Sequence, residues 1–185
     1  MTEKCSRRKA IILATVIEVL ESTEYSKLTI EEIAHRAGVG KSTIYRWWTH
    51  KAQLVFDAFK QSTACVFELD FTQSLKVNLV QQLSKLSQAL QQGVGRALLA
   101  AIVECREAAG AFFQQYLLPR REQMRKLIDI AIEKKEIKAR YCFELMLDTL
   151  YAPIHYQIIF FNRIPDTAYI EQLVDLVLDP IVIPA

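Results

Sequence analysis

The histidines and cysteines of this sequence are not spaced to bind a metal ion or to form a catalytic pair. No two of them lie one helical turn apart or form a C-x-x-C motif. They are His35, His50, His155, Cys5, Cys65, Cys105 and Cys142. The chain also lacks a G-x-S-x-G elbow, a P-loop and a G-x-G-x-x-G motif. We therefore expect no metal site, no cofactor and no enzymatic activity.

Hydrogen-bond donors and aromatic side chains are instead concentrated in one short segment, residues 41–51. Ile44 and Trp48 lie one helical turn apart there, which predicts that both face inward and that their neighbours face solvent. Basic and hydroxyl groups on such a surface suit the base edges and phosphates of DNA. Base-edge contacts are expected from Lys41, Ser42 and Arg46. Phosphate or sugar contacts are expected from Thr43, Tyr45, Trp47, His50 and Lys51, with core packing as the alternative for Trp47.

Two short helices are predicted to position this segment. The first begins at Thr29, whose hydroxyl can accept a hydrogen bond from the Glu32 N–H in a capping box, and it ends at Gly38. A tight turn separates it from the second helix, residues 41–48, so the pair forms a helix-turn-helix. A preceding helix over residues 6–21 completes a three-helix head. Thr29 completes the predicted set of DNA-binding residues.

At these residues the chain resembles the tetracycline-repressor (TetR) family of bacterial transcriptional regulators. The N-terminal signature of that family is approximately T-[VI]-x-x-I-A-x-x-A-G-V-S-x-x-T-[LI]-Y-x-x-F-x-x-K-x-x-L. The residues that match it are Thr29, Ile30, Ile33, Ala34, Ala37, Gly38, Val39, Thr43, Ile44, Tyr45, Lys51 and Leu54. Gly40 replaces the usual serine and Trp48 the usual phenylalanine. The resemblance covers about residues 8–60.

Charge and composition agree with the organisation that this resemblance implies. Glycine and proline number only five each, which favours an all-α fold. Residues 1–51 hold nine Lys and Arg against six Asp and Glu, whereas residues 52–185 hold fourteen against fifteen. We expect a helix-turn-helix DNA-binding domain over residues 1–51 and a helical ligand-binding and dimerisation domain over residues 52–185.

The function implied is that of a repressor that responds to a small molecule. As a homodimer it would bind a palindromic DNA operator, and a small apolar or aromatic inducer would release it. The alternative is a helical protein that binds a small molecule or a protein partner and does not bind DNA. Binding to duplex DNA that weakens with salt separates the two.

Five helices are predicted in the second domain, and glycine or proline marks most of their boundaries. They span residues 71–92, 95–108, 111–135, 139–162 and 167–178. The first is polar along most of one face, so we expect it at the surface. Pro119 falls inside the third and is expected to kink it.

The resemblance implies a small-molecule cavity between these helices. Aromatic and apolar side chains at helical spacing would line it, and a few polar groups would orient the ligand. The predicted contacts are Glu104, Phe112, Phe113, Tyr116, Met124, Tyr151 and His155. Ordinary core packing is the alternative for each of them.

The last two helices are predicted to form a homodimer interface. The first of them is apolar almost all round, so both of its faces must be covered. The resemblance implies a four-helix interface made by these helices and their copies. The residues expected to line it are Phe143, Leu147, Leu150, Ile154, Val174 and Val177. A buried core helix is the alternative.

No segment of the sequence is expected to enter a membrane. The longest stretch without a charged residue, residues 149–162, has 14 residues and is short of the roughly 18–20 that a span requires. Thr15 and Glu18 interrupt the apolar run near the N-terminus, which argues against a signal peptide. The widely spaced cysteines are typical of reduced thiols. We expect a cytoplasmic protein.

Overall fold

The computed structural model describes residues 3–91, 93–138 and 142–183, with the backbone alone for residues 3–6. In these ranges the regular structure is helical, apart from one isolated β-bridge between Ile137 and Val182. The helices are α1 (Glu3–Leu20), α2 (Ile30–Arg36), α3 (Lys41–Tyr45), α4 (Lys51–Ser62), α5 (Leu75–Ala89), α6 (Gly93–Glu104), α7 (Arg106–Phe112), α8 (Leu118–Glu133), α9 (Phe143–Phe161) and α10 (Thr167–Leu178). The predicted all-α fold with an N-terminal helix-turn-helix is confirmed.

Two irregular turns lie between these helices. A 3-10 turn spans Tyr25–Lys27, and a π-helical turn spans Phe113–Leu117. The start predicted for the fourth helix of the second domain, at residue 139, lies outside the described residues. Among the helices that are described, none combines the length and the apolar character of a membrane span.

The chain divides into two compact units, each described here by itself. Unit 1 comprises Met1–Ala64 and Leu90–Leu117, and unit 2 comprises Cys65–Ala89 and Leu118–Ala185. This division reflects packing. The functional boundary between residues 51 and 52 stays a prediction.

Helix α4 is central to unit 1, where it packs against α1, α6 and α7. Its Leu54, Val55 and Ala58 are fully buried, as are Ile12 and Val16 of α1. Each apolar side chain of valine or leucine size buried in this way stabilises the fold by about 1.5–3 kcal/mol. Helix α1 also contacts α2, and α2 contacts α3, so the helix-turn-helix is fixed to α4 through a continuous core.

The helix-turn-helix begins with the predicted cap. The Thr29 hydroxyl accepts a hydrogen bond from the Glu32 N–H at 3.2 Å. The reciprocal half of the capping box is replaced, because the Glu32 carboxylate pairs with Arg36 one turn later, at 2.7 Å. Gly38 follows α2 with a φ of +64°, the left-handed conformation that favours glycine at a helix end.

Helix α3 is shorter than predicted. It ends at Tyr45, and residues 46 and 47 form a turn. The N–H groups of Trp47 and Trp48 both donate to the carbonyl of Ile44, at 2.9 and 3.0 Å, so the chain leaves the helix there. Ile44 and Trp48 are both buried, as their spacing predicts.

Helix α5 packs against each of the other helices of unit 2, α8, α9 and α10. The prediction that it lies at the surface is wrong for one face, where three polar side chains are buried. Asn78 donates to the carbonyl of Asp70 at 2.8 Å, and Gln82 donates to that of Glu68 at 3.0 Å. The Ser87 hydroxyl also donates to a backbone carbonyl, at 3.2 Å. These polar groups are buried because each has a hydrogen-bond partner.

Helix ends in the middle of the chain differ from those predicted. The break falls at Cys105, between α6 and α7, and Gly110 lies inside α7. Pro119 lies within a continuous helical stretch, directly after the π-helical turn Phe113–Leu117 that interrupts the regular α-helix between α7 and α8. The kink expected at Pro119 stays a prediction. A second proline, Pro153, lies inside α9.

Gly93 opens α6 in a conformation that few other residues adopt. Its φ is +57°, and a Cβ atom added there would lie 2.8 Å from the Glu21 Oε1 atom. A side chain at this position would displace the flexible Glu21 carboxylate and would strain the left-handed backbone, and the backbone strain is the larger obstacle.

Candidate nucleic-acid interface

The outer surface of α3 and of the turn after it carries most of the residues predicted to bind DNA. Lys41, Ser42, Tyr45 and Arg46 are exposed, whereas Thr43 and Trp47 are half-buried. This surface is polar and basic, and the buried Ile44 fixes its orientation. The side-chain directions are those of a helix that can enter the major groove.

Lys41 forms an exposed ion pair with Glu31 of α2. The Lys41 Nζ atom lies 3.0 Å from the Glu31 Oε1 atom. The hydrogen bond from Lys41 lowers the pKa of the Glu31 carboxyl group, so both partners are charged at neutral pH. An exposed pair of this kind is weak, and Lys41 can exchange the carboxylate for a base edge or a phosphate.

Trp48 and Asp57 attach the end of the helix-turn-helix to α4 and α1. The Trp48 Nε1–H donates to the Asp57 Oδ2 atom at 3.0 Å, and the Lys9 ammonium lies 2.9 Å from the same oxygen. Burial alone would raise the pKa of Asp57, but the hydrogen bonds from Lys9 and Trp48 and the charges of Lys9 and Lys60 hold it below its ordinary value. The carboxylate therefore stays ionised and holds α1 and the segment after α3 together.

Trp47 is partly packed and partly accessible, so it is compatible both with core packing and with a DNA contact. Its ring packs edge to face against Trp48, with centroids 5.6 Å apart, and part of it stays accessible. His50 is exposed at the N-cap position of α4 and forms no side-chain cap there. Thr29 is exposed, although its hydroxyl already serves the α2 cap.

Lys51, the first residue of α4, has its ammonium turned inward. Its Nζ atom donates to the carbonyl of Tyr25 at 3.3 Å, lies 4.3 Å from the centroid of the Tyr25 ring, and lies 3.9 Å from the Glu104 Oε2 atom. The Tyr25 hydroxyl donates to the other oxygen of Glu104 at 3.0 Å. Sequence reasoning missed this cluster, because its members are 26 to 79 positions apart and share no motif.

An open cavity of about 680 Å³, exposed to solvent along one side, lies in unit 1 between the end of α1, the turn that follows it, and α6. Glu104 and Tyr25 are among its lining residues, together with Arg96 and Glu21. None of the other predicted ligand contacts lines this cavity.

Phe112 and Tyr116 are packed in the core of unit 1. Their rings stack with centroids 4.8 Å apart, and Phe112 also lies 5.0 Å from the ring of Phe56. The hydroxyl of Tyr116 forms a buried hydrogen bond with Thr63 at 2.6 Å. These contacts favour the core alternative for both residues. Phe113, in the π-helical turn, is exposed.

The remaining predicted ligand contacts belong to unit 2. Met124 is buried in α8. Tyr151 and His155 are half-buried in α9, where the His155 Nδ1 atom lies 2.8 Å from the Tyr151 carbonyl oxygen. Burial raises the pKa of Tyr151 to about 12, so its hydroxyl is a donor at neutral pH. These three residues remain predictions.

The predicted dimer seam requires a correction. Phe143, Leu147, Leu150, Ile154 and Val174 are buried within unit 2 of the single chain, and Val177 is half-buried. Because α9 and α10 pack against each other and against α5, the five buried residues are not available to a second copy, whereas the place of Val177 in the seam stays a prediction. The opposite stripe is the exposed one. It contains Leu145, Ala152, Tyr156, Ile159 and Phe160 on α9, with Leu176 on α10.

Cys65, Cys105 and Cys142 are free thiols. Within the described part of the chain, His, Cys, Asp and Glu side chains do not cluster in threes that could hold a metal ion.

Comparison with protein families assigns both parts of the chain. A family described as "Bacterial regulatory proteins, tetR family" matches residues 12–58. A second, described as "Tetracyclin repressor-like, C-terminal domain", matches residues 70–177, which is more than half of the chain.

Individual relatives agree with this assignment. The chain is 27% identical over 166 residues to the uncharacterized HTH-type transcriptional regulator YdeS of Bacillus subtilis, covering 88% of this chain and 84% of the relative. It is 29% identical over 92 residues to the DNA-binding transcriptional repressor TetR of Mycobacteroides abscessus, covering 49% of this chain and 48% of the relative. The crystal structure of the TetR family transcription regulator SCO0332 superimposes with a TM-score of 0.77 and 25% identity, covering 96% of this chain and all of that one.

Proposed function

Because the chain belongs to the TetR family of bacterial transcription regulators, we propose that it is a ligand-responsive repressor that binds a palindromic operator as a homodimer. Regulation of transcription through DNA binding is the function of this family, which is not a family of enzymes. The repressor role, the palindrome, the dimer and the ligand response are the parts that we propose. We place this activity in the cytoplasm, with the DNA.

The observation that carries the proposal is the outer surface of α3. Lys41, Ser42 and Arg46 are exposed on one continuous surface, while Ile44 is buried beneath it. In the major groove these three side chains would contact base edges. The partners for phosphates and sugars would be Thr29, Thr43, Tyr45, Trp47, His50 and Lys51. The backbone N–H groups in the first turn of the 12-residue α4 favour a phosphate near Lys51 and His50.

A titration on specific and scrambled duplexes tests the DNA assignment. The specific duplex is obtained by selecting bound fragments from genomic DNA. We expect affinity for both duplexes to fall as salt rises, because phosphate contacts release counterions. Lys41→Ala or Arg46→Ala should cost about 1–3 kcal/mol on the specific duplex and much less on the scrambled one.

Lys27→Ala is the matched control for charge removal. Lys27 is exposed and pairs with Glu24, in the turn before α2. If the control reduces the preference for the specific duplex as much as Lys41→Ala and Arg46→Ala do, the assignment of α3 as the recognition helix is wrong.

The homodimer proposal now rests on the exposed apolar stripe of α9 and α10. Single exposed leucines are common, but on α9 the exposed Leu145, Tyr156, Ile159 and Phe160 recur at helical spacing, and a continuous apolar surface of this kind marks an interaction site. Leu176 of α10 is also exposed, at 72%. Two copies related by a two-fold axis would cover these faces and would present two recognition helices to a palindrome.

The effector proposal rests on the cavity beside Glu104. Its volume of about 680 Å³ falls within the roughly 300–1,000 Å³ that is typical of ligand pockets. Of the ligand contacts predicted from the sequence, Glu104 is therefore the one in unit 1 that we propose as a polar anchor for the effector. A bound effector that lowers DNA affinity must itself be weakened by operator DNA to the same degree, and calorimetry with and without the duplex measures this.

A further inference from the structure

Lys51 is held in unit 1 by two residues that lie outside the helix-turn-helix. Its ammonium contacts the carbonyl and the ring of Tyr25 and lies 3.9 Å from Glu104. Only 25% of the Lys51 side chain is exposed. Although Lys51 is expected to contact a DNA phosphate, its side chain is directed toward the protein interior.

Tyr25 fixes the geometry of this cluster. It is buried in the turn after α1, and this turn packs against α6. Its hydroxyl donates to Glu104, the last residue of α6, at 3.0 Å. Burial, followed by the hydrogen bond to Glu104 and the charge of that carboxylate, raises the pKa of Tyr25, so the hydroxyl keeps its proton and continues to donate.

The contact between Lys51 and Glu104 is weak and can be exchanged for a contact with another anion. Glu104 is 54% exposed, and the 3.9 Å separation is long for a hydrogen bond. Solvent screens such a pair, which limits its effect on an equilibrium to about fivefold. A DNA phosphate offers the same ammonium a competing anionic partner.

We propose that Tyr25 and Glu104 are positioning residues that withhold Lys51 from DNA, so that its phosphate contact forms only when the contact with Glu104 is given up. The proposal rests on the phosphate contact of Lys51 proposed above. Because Glu104 is the last residue of α6, this arrangement would let α6 change DNA affinity through the Glu104 side chain alone. Because Tyr25 and Glu104 also line the cavity of unit 1, a ligand that binds the withheld arrangement more tightly would lower DNA affinity.

A double-mutant cycle tests the proposal with a duplex of random sequence, since a phosphate contact does not depend on base sequence. The variants are Glu104→Gln and Lys51→Met, alone and together. Glu107→Gln removes an equal charge from an exposed residue of the neighbouring α7 and serves as the matched control. Affinity is measured by fluorescence anisotropy over a series of salt concentrations, and thermal unfolding shows that each variant is folded.

Glu104→Gln should bind about fivefold more tightly than Glu107→Gln, because the amide no longer attracts the ammonium. In the Lys51→Met background the two variants should bind equally. Lys51→Met alone should weaken binding and reduce the slope of log affinity against log salt by about 0.9, the loss of one phosphate contact. Glu104→Gln should leave that slope unchanged.

Three results would overturn the proposal in distinguishable ways. If Lys51→Met leaves affinity and salt slope unchanged, Lys51 does not contact a phosphate, and that part of the proposed function fails together with this inference. If Lys51→Met weakens binding but Glu104→Gln equals its control, Lys51 contacts DNA and the carboxylate does not withhold it. If Glu104→Gln strengthens binding as much in the Lys51→Met background as in the wild-type protein, the effect comes from net charge alone.

Discussion

At the scale of single residues, Asp57 joins three parts of unit 1, because Trp48 after α3 and Lys9 of α1 both contact the carboxylate that α4 carries. The separation of Ile44 and Trp48 by four positions was sufficient to predict that both are buried, and both are. No pattern in the sequence indicates that the Trp48 indole and the Lys9 ammonium share one carboxylate oxygen of Asp57. Such a contact depends on how α1 and α4 pack, which hydrophobic periodicity does not specify.

Asp57→Asn should destabilise the protein by about 1 kcal/mol at pH 7, because the ion pair with Lys9 is lost. The pKa of Asp57 is lowered in the folded state, so its contribution is present above the ordinary aspartate pKa of about 3.9 and is lost as pH falls through the folded value. The difference between wild type and variant should therefore shrink below about pH 4. Thermal unfolding at pH 7 and pH 3 measures it.

Asp129→Asn, at an exposed position of α8, is the control for this experiment. It removes the same charge away from Lys9 and Trp48. A destabilisation by Asp129→Asn as large as that by Asp57→Asn would contradict the special role of Asp57.

At the scale of elements, helix ends were predicted well where a capping residue or a left-handed glycine defines them. Thr29 and Gly38 are examples, and both have the roles predicted. Gly110 shows the opposite, since its residue type suggested a boundary although it lies inside α7. The break at Cys105 has no glycine or proline and could not be identified from local residue types.

Gly38 and Gly110 provide a matched pair of substitutions. A Cβ atom at either position meets nothing within 4 Å, so the two differ in backbone conformation alone. Gly38→Ala should destabilise by about 1 kcal/mol, because alanine disfavours a φ of +64°. Gly110→Ala should stabilise by about 0.5–1 kcal/mol, because alanine is the better helix former.

Chemical denaturation of the two glycine variants measures both changes in the free energy of unfolding. Equal effects of the same sign would show that backbone conformation does not control these positions. Loss of DNA binding by Gly38→Ala at a temperature where the protein is fully folded would further indicate that the turn sets the position of α3.

At the scale of the whole molecule, the sequence indicated that α9 must be covered on both faces but did not show which face a second chain would cover. Both stripes are apolar, and the choice depends on the packing of α5 and α10. The apolar spacing of Phe143, Leu147 and Leu150 predicts a place in the seam, yet they lie in the core of unit 2. Helix periodicity shows how many faces of a helix are apolar, but it does not show which helix or which chain packs against each face.

Leu145→Glu should produce folded monomers, because Leu145 is exposed in the single chain and would be buried only between copies. Leu147→Glu, two positions away and buried, should prevent folding instead. Analytical ultracentrifugation and circular dichroism distinguish the two outcomes. A Leu145→Glu protein that stays dimeric, or a wild-type protein that is monomeric at micromolar concentration, would exclude this seam.

The left-handed backbone of Gly93 restricts which sequences can evolve at a position that exposure alone would leave free to vary. Gly93 is only half-buried, yet its φ of +57° excludes most side chains. The Glu21 carboxylate nearby is the end of a flexible side chain and can move aside, so the backbone angle is the restriction that remains, and asparagine is the best tolerated replacement. In a library of functional variants, residue 93 should therefore be nearly invariant, with asparagine as its most frequent exception and no dependence on the residue at position 21.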